Sequence, residues 1–162
     1  MRITKTPLTN AILKTQQMNM KEKESIFDQI FTEQPNLLAS ILVQQQMGNS
    51  MAQMEVLINI LLVSHLALKE SGIKIVKISE SLQDKEMAKF VATIKFTEGL
   101  SVSSLESSLQ QYVASQKEKE LLAYALNEMT EAGFTRLENE SSKYLILTGI
   151  NMVNCISAAK LA

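Results

Sequence analysis

The chain has 162 residues, and its 16 basic and 17 acidic side chains give a formal net charge of −1. This length is typical of one domain, and the balanced charge excludes a strongly basic nucleic-acid-binding coat or an acidic disordered tail as a description of the whole chain. One cysteine, Cys155, and one histidine, His65, exclude an intrachain disulfide and any metal site that needs several such ligands from one chain.

Residues 1–20 are predicted to form a loosely ordered, basic N-terminal arm. Pro7 and several polar residues follow the basic residues Arg2 and Lys5, so the apolar stretch of a signal peptide is absent from this segment. The basic side chains are sparse and no aromatic side chain lies among them for base stacking, so we do not expect nucleic-acid binding. We expect a cytoplasmic location.

Residues 21–162 are predicted to form a single all-helical domain. Gly48, Gly72, Gly99 and Gly133 follow apolar-periodic runs, as glycines do after the last residue of a helix. The 3.6-residue spacing of apolar side chains predicts about seven helices. In chain order they span about 21–33, 36–47, 51–70, 80–97, 102–115, 118–131 and 136–160.

Three of these helices are preceded by the spacing of a capping box, in which two side chains satisfy the first backbone N–H groups of a helix. The three pairs are Ser50 with Gln53, Ser115 with Glu118, and Thr135 with Glu138.

The segment 73–78 is rich in β-branched residues and nearly alternates apolar and polar side chains, which is typical of a strand. Because no second such segment is near it to pair with, we interpret it as an extended linker.

The helices at about 51–70 and 136–160 are apolar on nearly every side, which is typical of buried helices. Both apolar runs are shorter than the ~20 residues of a membrane span and contain polar residues, so we do not expect insertion into a membrane. The predicted fold is therefore an all-α, irregular bundle with these two helices at its centre.

Polar residues inside the two central helices need partners, because a buried polar group without one costs about 1–3 kcal/mol. Such groups can bond to one another, line a ligand pocket between the two helices, or form a self-association seam. The candidates for a pocket or a buried polar network are Glu55, Asn59, His65, Asn151 and Asn154.

A second set of residues is predicted to form an interface. Met47, Met51 and Met54 cluster around Gly48, and methionine-rich surfaces are adaptable binding surfaces. Thr148 and Cys155 share a stripe on the last helix with small and amide side chains, which allow close helix approach.

No combination of residues in the sequence matches a catalytic motif, a phosphate-binding loop or a metal site, so we expect neither an enzyme nor a bound metal or cofactor. The sequence favours a helical protein-protein interaction or adaptor protein that associates with a protein partner or with itself as a homodimer. The alternative is a sensor or carrier of a small, apolar ligand in a polar-lined pocket between the central helices.

Overall fold

The computed structural model describes residues 3–94 and 101–162, which form eight α-helices and two short 3₁₀ turns. The α-helices are α1 (Lys5–Gln17), α2 (Met20–Glu33), α3 (Pro35–Leu42), α4 (Met51–Glu70), α5 (Glu80–Thr93), α6 (Val102–Ala114), α7 (Lys119–Glu131) and α8 (Glu140–Ala158). The 3₁₀ turns span Val43–Gln45 and Phe134–Arg136. The predicted all-α fold is confirmed. The predicted helix end at Gly99 lies outside the described residues, as do the last residues of the predicted helix 80–97.

α4 and α8 occupy the centre of the bundle, as their apolar sequences predicted. α4 contacts α1, α2, α3, α7 and α8, and α8 also contacts α3, α5 and α7. Every residue of α4 from Ile60 to Leu68 is buried. By length and composition, α4 is the one helix within the described residues that could cross a membrane, and most of its apolar stretch is buried inside the protein.

A loosely ordered arm was predicted over residues 1–20, but Lys5–Gln17 form the helix α1. The described residues therefore contain eight α-helices, one more than predicted. α1 lies along α4 and buries Leu8, Ala11 and Thr15. Pro7 does not interrupt this helix, because it lies in the first turn, where the backbone N–H groups have no partner within the helix.

One of the three predicted capping boxes is confirmed. The Ser50 Oγ accepts a hydrogen bond from the Gln53 N–H at 3.2 Å, and the Gln53 Oε1 accepts one from the Ser50 N–H at 2.8 Å. These two bonds fix the start of α4.

The other two capping boxes are wrong. Ser115 lies at the end of α6, and its hydroxyl donates to a backbone carbonyl of that helix at 2.6 Å. Asn139 caps α8 instead of Thr135, and its Oδ1 accepts from a first-turn N–H at 3.0 Å. Thr135 donates to the carboxylate of Glu106 at 2.7 Å. The spacing of a capping box does not encode such tertiary partners.

The close approach of α7 and α8 depends on Gly149. A Cβ atom at this position would lie 2.4 Å from the Sδ of Met129, well inside van der Waals contact. The glycine inside the apolar run of α8 therefore makes room for a neighbouring side chain.

Residues 73–78, hereafter the strap segment, connect α4 to α5 without forming a helix. Ile75 pairs with Leu161 in an isolated antiparallel bridge. The Val76 N–H donates to the Lys160 carbonyl and the Ala162 N–H donates to the Lys74 carbonyl, both at 2.9 Å. The chain beyond α8 is thus the pairing partner of the strap segment, and no neighbouring sequence pattern indicated it.

Candidate functional site

The larger described cavity has a volume of about 440 Å³ and lies between α2, α3, α4, α8 and the strap segment. This volume is within the range of about 300–1,000 Å³ that small-molecule sites have. Half of its lining residues are aliphatic: Ile30, Leu37, Leu61, Leu68, Ile73, Ile75 and Ile156. The others are Glu33, Gln34, His65, Lys69, Gly72, Lys74 and Ala162.

His65 is the buried polar side chain of this lining that lacks a bonding partner. It is 8% exposed, and its Nε2 has no hydrogen-bond partner in the described structure. Burial lowers the pKa of the imidazole below its ordinary value, as does the positive charge of Lys69, while the carboxylate of Glu33 acts in the opposite direction. His65 is therefore neutral at pH 7, with one ring nitrogen able to donate and the other able to accept.

Gln34, between α2 and α3, ties the strap segment to the bundle. Its Nε2 donates to the Val76 carbonyl at 3.0 Å, and its Oε1 accepts from the Ile78 N–H at 2.8 Å. Asn36 donates to the Ile78 carbonyl at 2.9 Å. Both ends of the Gln34 amide are thus used by the backbone of the strap segment, so this side chain builds the cavity wall.

The charged lining residues lie on the solvent side of the cavity. Glu33, Lys69 and Lys74 are all exposed, and the ammonium of Lys69 donates to the side-chain oxygen of Gln29. The site therefore has an apolar interior, one buried imidazole and a charged mouth.

Two of the predicted pocket residues instead join helices to one another. The Nδ2 of Asn59 donates to the Tyr124 hydroxyl at 2.9 Å and links α4 to α7. The Nδ2 of Asn154 donates to the Tyr112 hydroxyl at 2.8 Å and links α8 to α6. The Asn59 bond is half-buried and the Asn154 bond is buried, and neither amide lines the 440 Å³ cavity.

The remaining candidates also lie away from the large cavity. Glu55 is exposed near the start of α4. The Nδ2 of Asn151 donates to the Gln83 carbonyl at 3.1 Å, and its buried Oδ1 has no partner in the described structure. Asn151 lines a second cavity of about 30 Å³, which is the size of one water molecule and too small for a ligand. Of the five pocket candidates, His65 is the one that lines the large cavity.

The predicted interface residues divide between the surface and the core. Met47 and Met51 are exposed, whereas Met54, Thr148 and Cys155 are buried within the chain. The Thr148 hydroxyl accepts from the Gln44 Nε2 at 2.9 Å. Burial raises the pKa of the Cys155 thiol to about 12, so this cysteine is protonated and unreactive at neutral pH.

Sequence reasoning missed Gln34 and the charged residues at the mouth of the cavity. Gln34 precedes Pro35 and resembles an ordinary residue before a helix, so no local signal indicates its role. The alternation of apolar and polar side chains in the strap segment was a usable signal for the cavity wall, because it places Ile73 and Ile75 on one face.

The described residues contain no group of three or more His, Cys, Asp or Glu side chains that could hold a metal ion. Comparison of the chain with protein-family models, with curated protein sequences and with solved structures finds no match.

Proposed function

We propose that this protein binds a small, largely apolar molecule in the 440 Å³ cavity, as a sensor or carrier. The observation that carries the proposal is a cavity of ligand size whose buried lining is aliphatic except for two polar side chains. One of these, Gln34, hydrogen-bonds to the strap segment through both its nitrogen and its oxygen, whereas the Nε2 of His65 is not hydrogen-bonded. A cavity whose interior wall is mostly aliphatic fits a ligand that is apolar over most of its surface.

N-phenyl-1-naphthylamine is a suitable probe, because it is neutral and its fluorescence rises in apolar surroundings. We expect the wild-type protein to bind it saturably. Ile75→Trp places an indole in the cavity and is expected to weaken binding by tenfold or more. Val76→Trp is the matched control, because the neighbouring Val76 side chain is exposed and is not part of the lining.

Ala162→Trp is a second variant for the same titration, in case Ile75→Trp misfolds. Ala162 lines the cavity and is exposed, so the larger side chain should disturb the fold less. Circular dichroism melting curves would establish that each variant is folded. Wild-type affinity in folded Ile75→Trp and Ala162→Trp proteins, or no saturable binding by the wild type, would overturn the proposal.

A second proposed function is self-association through the turn between α3 and α4. The observation in its favour is a group of exposed apolar side chains, hereafter the turn surface: Leu42, Val43, Met47 and Met51. Exposed apolar side chains that lie close along the chain can form an interaction surface, and one such surface can meet its copy across a twofold axis. The proposed occupant is therefore a second copy of the chain.

Light scattering after size exclusion tests this proposal. We expect a dimer of the wild type at micromolar concentration and a monomer of the double variant Leu42→Lys with Met51→Lys. Leu13→Lys on α1 is the control, because Leu13 is 49% exposed and lies outside the turn surface. A monomeric wild type, or a variant that still dimerises, would contradict self-association through this surface.

A further inference from the structure

The aliphatic floor of the cavity is covered in the described structure. Four side chains of this floor line the cavity, yet each is no more than 2% exposed: Ile30, Leu37, Leu61 and Ile156. The more accessible lining residues lie at the mouth, in the strap segment and beyond α8. On the basis of the binding function proposed above, a ligand that packs against the floor therefore needs part of the wall to move.

Two segments outside the helices contribute to this wall, and the strap segment is the more firmly held of the two. It joins α4 to α5, so both of its ends are fixed by helices. Gln34 bonds to the backbone of Val76 and Ile78, and Asn36 bonds to the Ile78 carbonyl. The Ile78 side chain is also buried in the common core. The strap segment is therefore a poor candidate for the moving part.

The other segment consists of residues 160–162, hereafter the closing segment, and it is weakly held. Lys160, Leu161 and Ala162 are all exposed. The Lys160 carbonyl and the Ala162 N–H each bond to the backbone of the strap segment at 2.9 Å. Segments with few buried apolar contacts and with exposed backbone hydrogen bonds open locally at a low free energy. Breaking these two bonds would free the closing segment without exposing a buried side chain of its own.

The position of the closing segment makes such opening useful. Ala159, just before it, is buried, so the closing segment can pivot beyond this residue while the core stays packed. Ala162 and Ile75 both line the cavity, so their separation opens the wall between them. We propose that the closing segment is the movable wall of the cavity, which separates from the strap segment to admit a ligand to the aliphatic floor and pairs with it again over the bound ligand.

Native-state hydrogen exchange of the ligand-free full chain tests which part of the wall moves. The Val76 and Ala162 N–H groups bond across the junction of the two segments, whereas the Ile78 N–H bonds to Gln34. We expect the protection factors of the Val76 and Ala162 amides to be at least about tenfold lower than that of the Ile78 amide. Equal protection of the three amides would show that the strap segment opens too, and would overturn the proposal.

A reversible cross-link tests whether this movement admits the ligand. Ile75 and Leu161 lie opposite each other in an antiparallel bridge, and the two backbone bonds flank this pair. Such pairs have Cα atoms about 4.5 Å apart, which is within the range of disulfides. The double variant Ile75→Cys with Leu161→Cys is therefore locked when oxidised and free to open when reduced. Cys155, the one native cysteine, is buried and does not compete.

Stopped-flow mixing with N-phenyl-1-naphthylamine compares the two redox states of this variant. Both states have the same altered lining, so a difference between them reports on the lock alone. We expect association and dissociation to be at least about tenfold slower in the oxidised protein, because binding that requires a conformational change is slowed when that change is blocked. Equal rates in the two states would overturn the proposal.

Val76→Pro tests the opposite change, a weaker junction. Proline lacks the N–H that bonds to the Lys160 carbonyl, while the Val76 carbonyl that Gln34 binds is kept. We expect association of the probe to be about fivefold faster, as the loss of one hydrogen bond implies. Val76→Ala retains the N–H and is the matched control. Wild-type rates in a folded Val76→Pro protein, with folding checked by a melting curve, would contradict the proposal.

The outcomes separate this proposal from the binding function. Saturable binding of N-phenyl-1-naphthylamine at rates that neither the cross-link nor Val76→Pro alters would overturn the movable wall and leave the binding function standing. No saturable binding by the wild type would overturn the binding function, and the proposed role of the closing segment with it.

Discussion

His65 is a buried side chain that opposes folding. In the described structure its Nε2 is buried without a partner, so replacement by leucine is expected to leave the stability at pH 7 unchanged or slightly higher.

The pKa of His65 predicts how stability depends on pH. Burial lowers the pKa of the folded imidazole below 6.5, and the positive charge of Lys69 lowers it further, while the carboxylate of Glu33 acts weakly in the opposite direction. In the unfolded chain the imidazole has its ordinary pKa. Below pH 6.5 the unfolded chain therefore binds more protons, so the free energy of unfolding falls with acidification until the pH passes the folded pKa. The slope cannot exceed about 1.4 kcal/mol per pH unit for one group.

Urea unfolding of the wild type and of His65→Leu between pH 4.5 and 8 measures this effect. His65 is the one histidine in the sequence, so the difference between the two curves reports on it. We expect that difference to grow in favour of the variant as the pH falls below 6.5. Parallel curves would contradict the lowered pKa.

Gly149 gives a second prediction at the residue scale. Gly149→Ala improves helix propensity by about 1 kcal/mol but places a Cβ 2.4 Å from the Met129 Sδ. Overpacking of a core typically costs about 1–3 kcal/mol, so we expect net destabilisation. The matched test is Gly149→Ala in a Met129→Ala background, where the alanine should be neutral or stabilising. Equal effects in both backgrounds would exclude the contact as the cause.

At the scale of elements, one side chain, Gln34, contributes two of the hydrogen bonds that hold the strap segment. Gln34→Leu leaves the Val76 carbonyl and the Ile78 N–H without their partner, so we expect destabilisation of about 1–3 kcal/mol. Hydrogen exchange of the Ile78 amide should accelerate more than exchange of α4 amides. Gln110→Leu, at an exposed position of α6, is the control and should change stability by less than about 0.5 kcal/mol. Unchanged hydrogen exchange at the Ile78 amide would show that Gln34 does not hold the strap segment in place.

The same scale shows which elements the sequence could predict. α4 and α8 were predictable because long apolar runs have one physical solution, which is burial. α1 was missed because its buried face consists of Leu8, Ala11 and Thr15, a pattern too weak to stand out beside Pro7. The cap of α8 was misplaced because Thr135 bonds to Glu106 across a tertiary contact that spacing does not encode.

At the scale of the whole molecule, α1 should contribute to global stability. Leu8 is 7% exposed within the common core, so Leu8→Ala is expected to cost about 2–4 kcal/mol in urea unfolding. Leu13→Ala on the same helix is the control, because that side chain is 49% exposed. Equal, small effects would indicate that α1 does not unfold together with the bundle.

The candidate site was less predictable than the fold, because the site depends on how the elements pack in the whole molecule. The cavity combines side chains from α2, α3, α4, α8 and the strap segment, so its shape exists only after these elements have packed. His65 could be selected from the sequence because it is the one histidine of the chain and lies in an apolar helix. Glu33, Gln34 and Lys69 lie among ordinary surface residues in the sequence, and only the tertiary arrangement distinguishes them.

The bridge between Ile75 and Leu161 has a consequence for the order of folding. Most contacts in a helical protein join residues that are close in sequence. This bridge instead joins the middle of the chain to its last described residues. Closing such a long loop before the bundle has formed has a high entropic cost. Contacts of this kind form late and slow the folding of helical proteins. We therefore expect the wall of the cavity to close after the helices have assembled. A ligand of the proposed kind, present during refolding, should then leave the rate of helix formation unchanged and slow the unfolding of the completed structure.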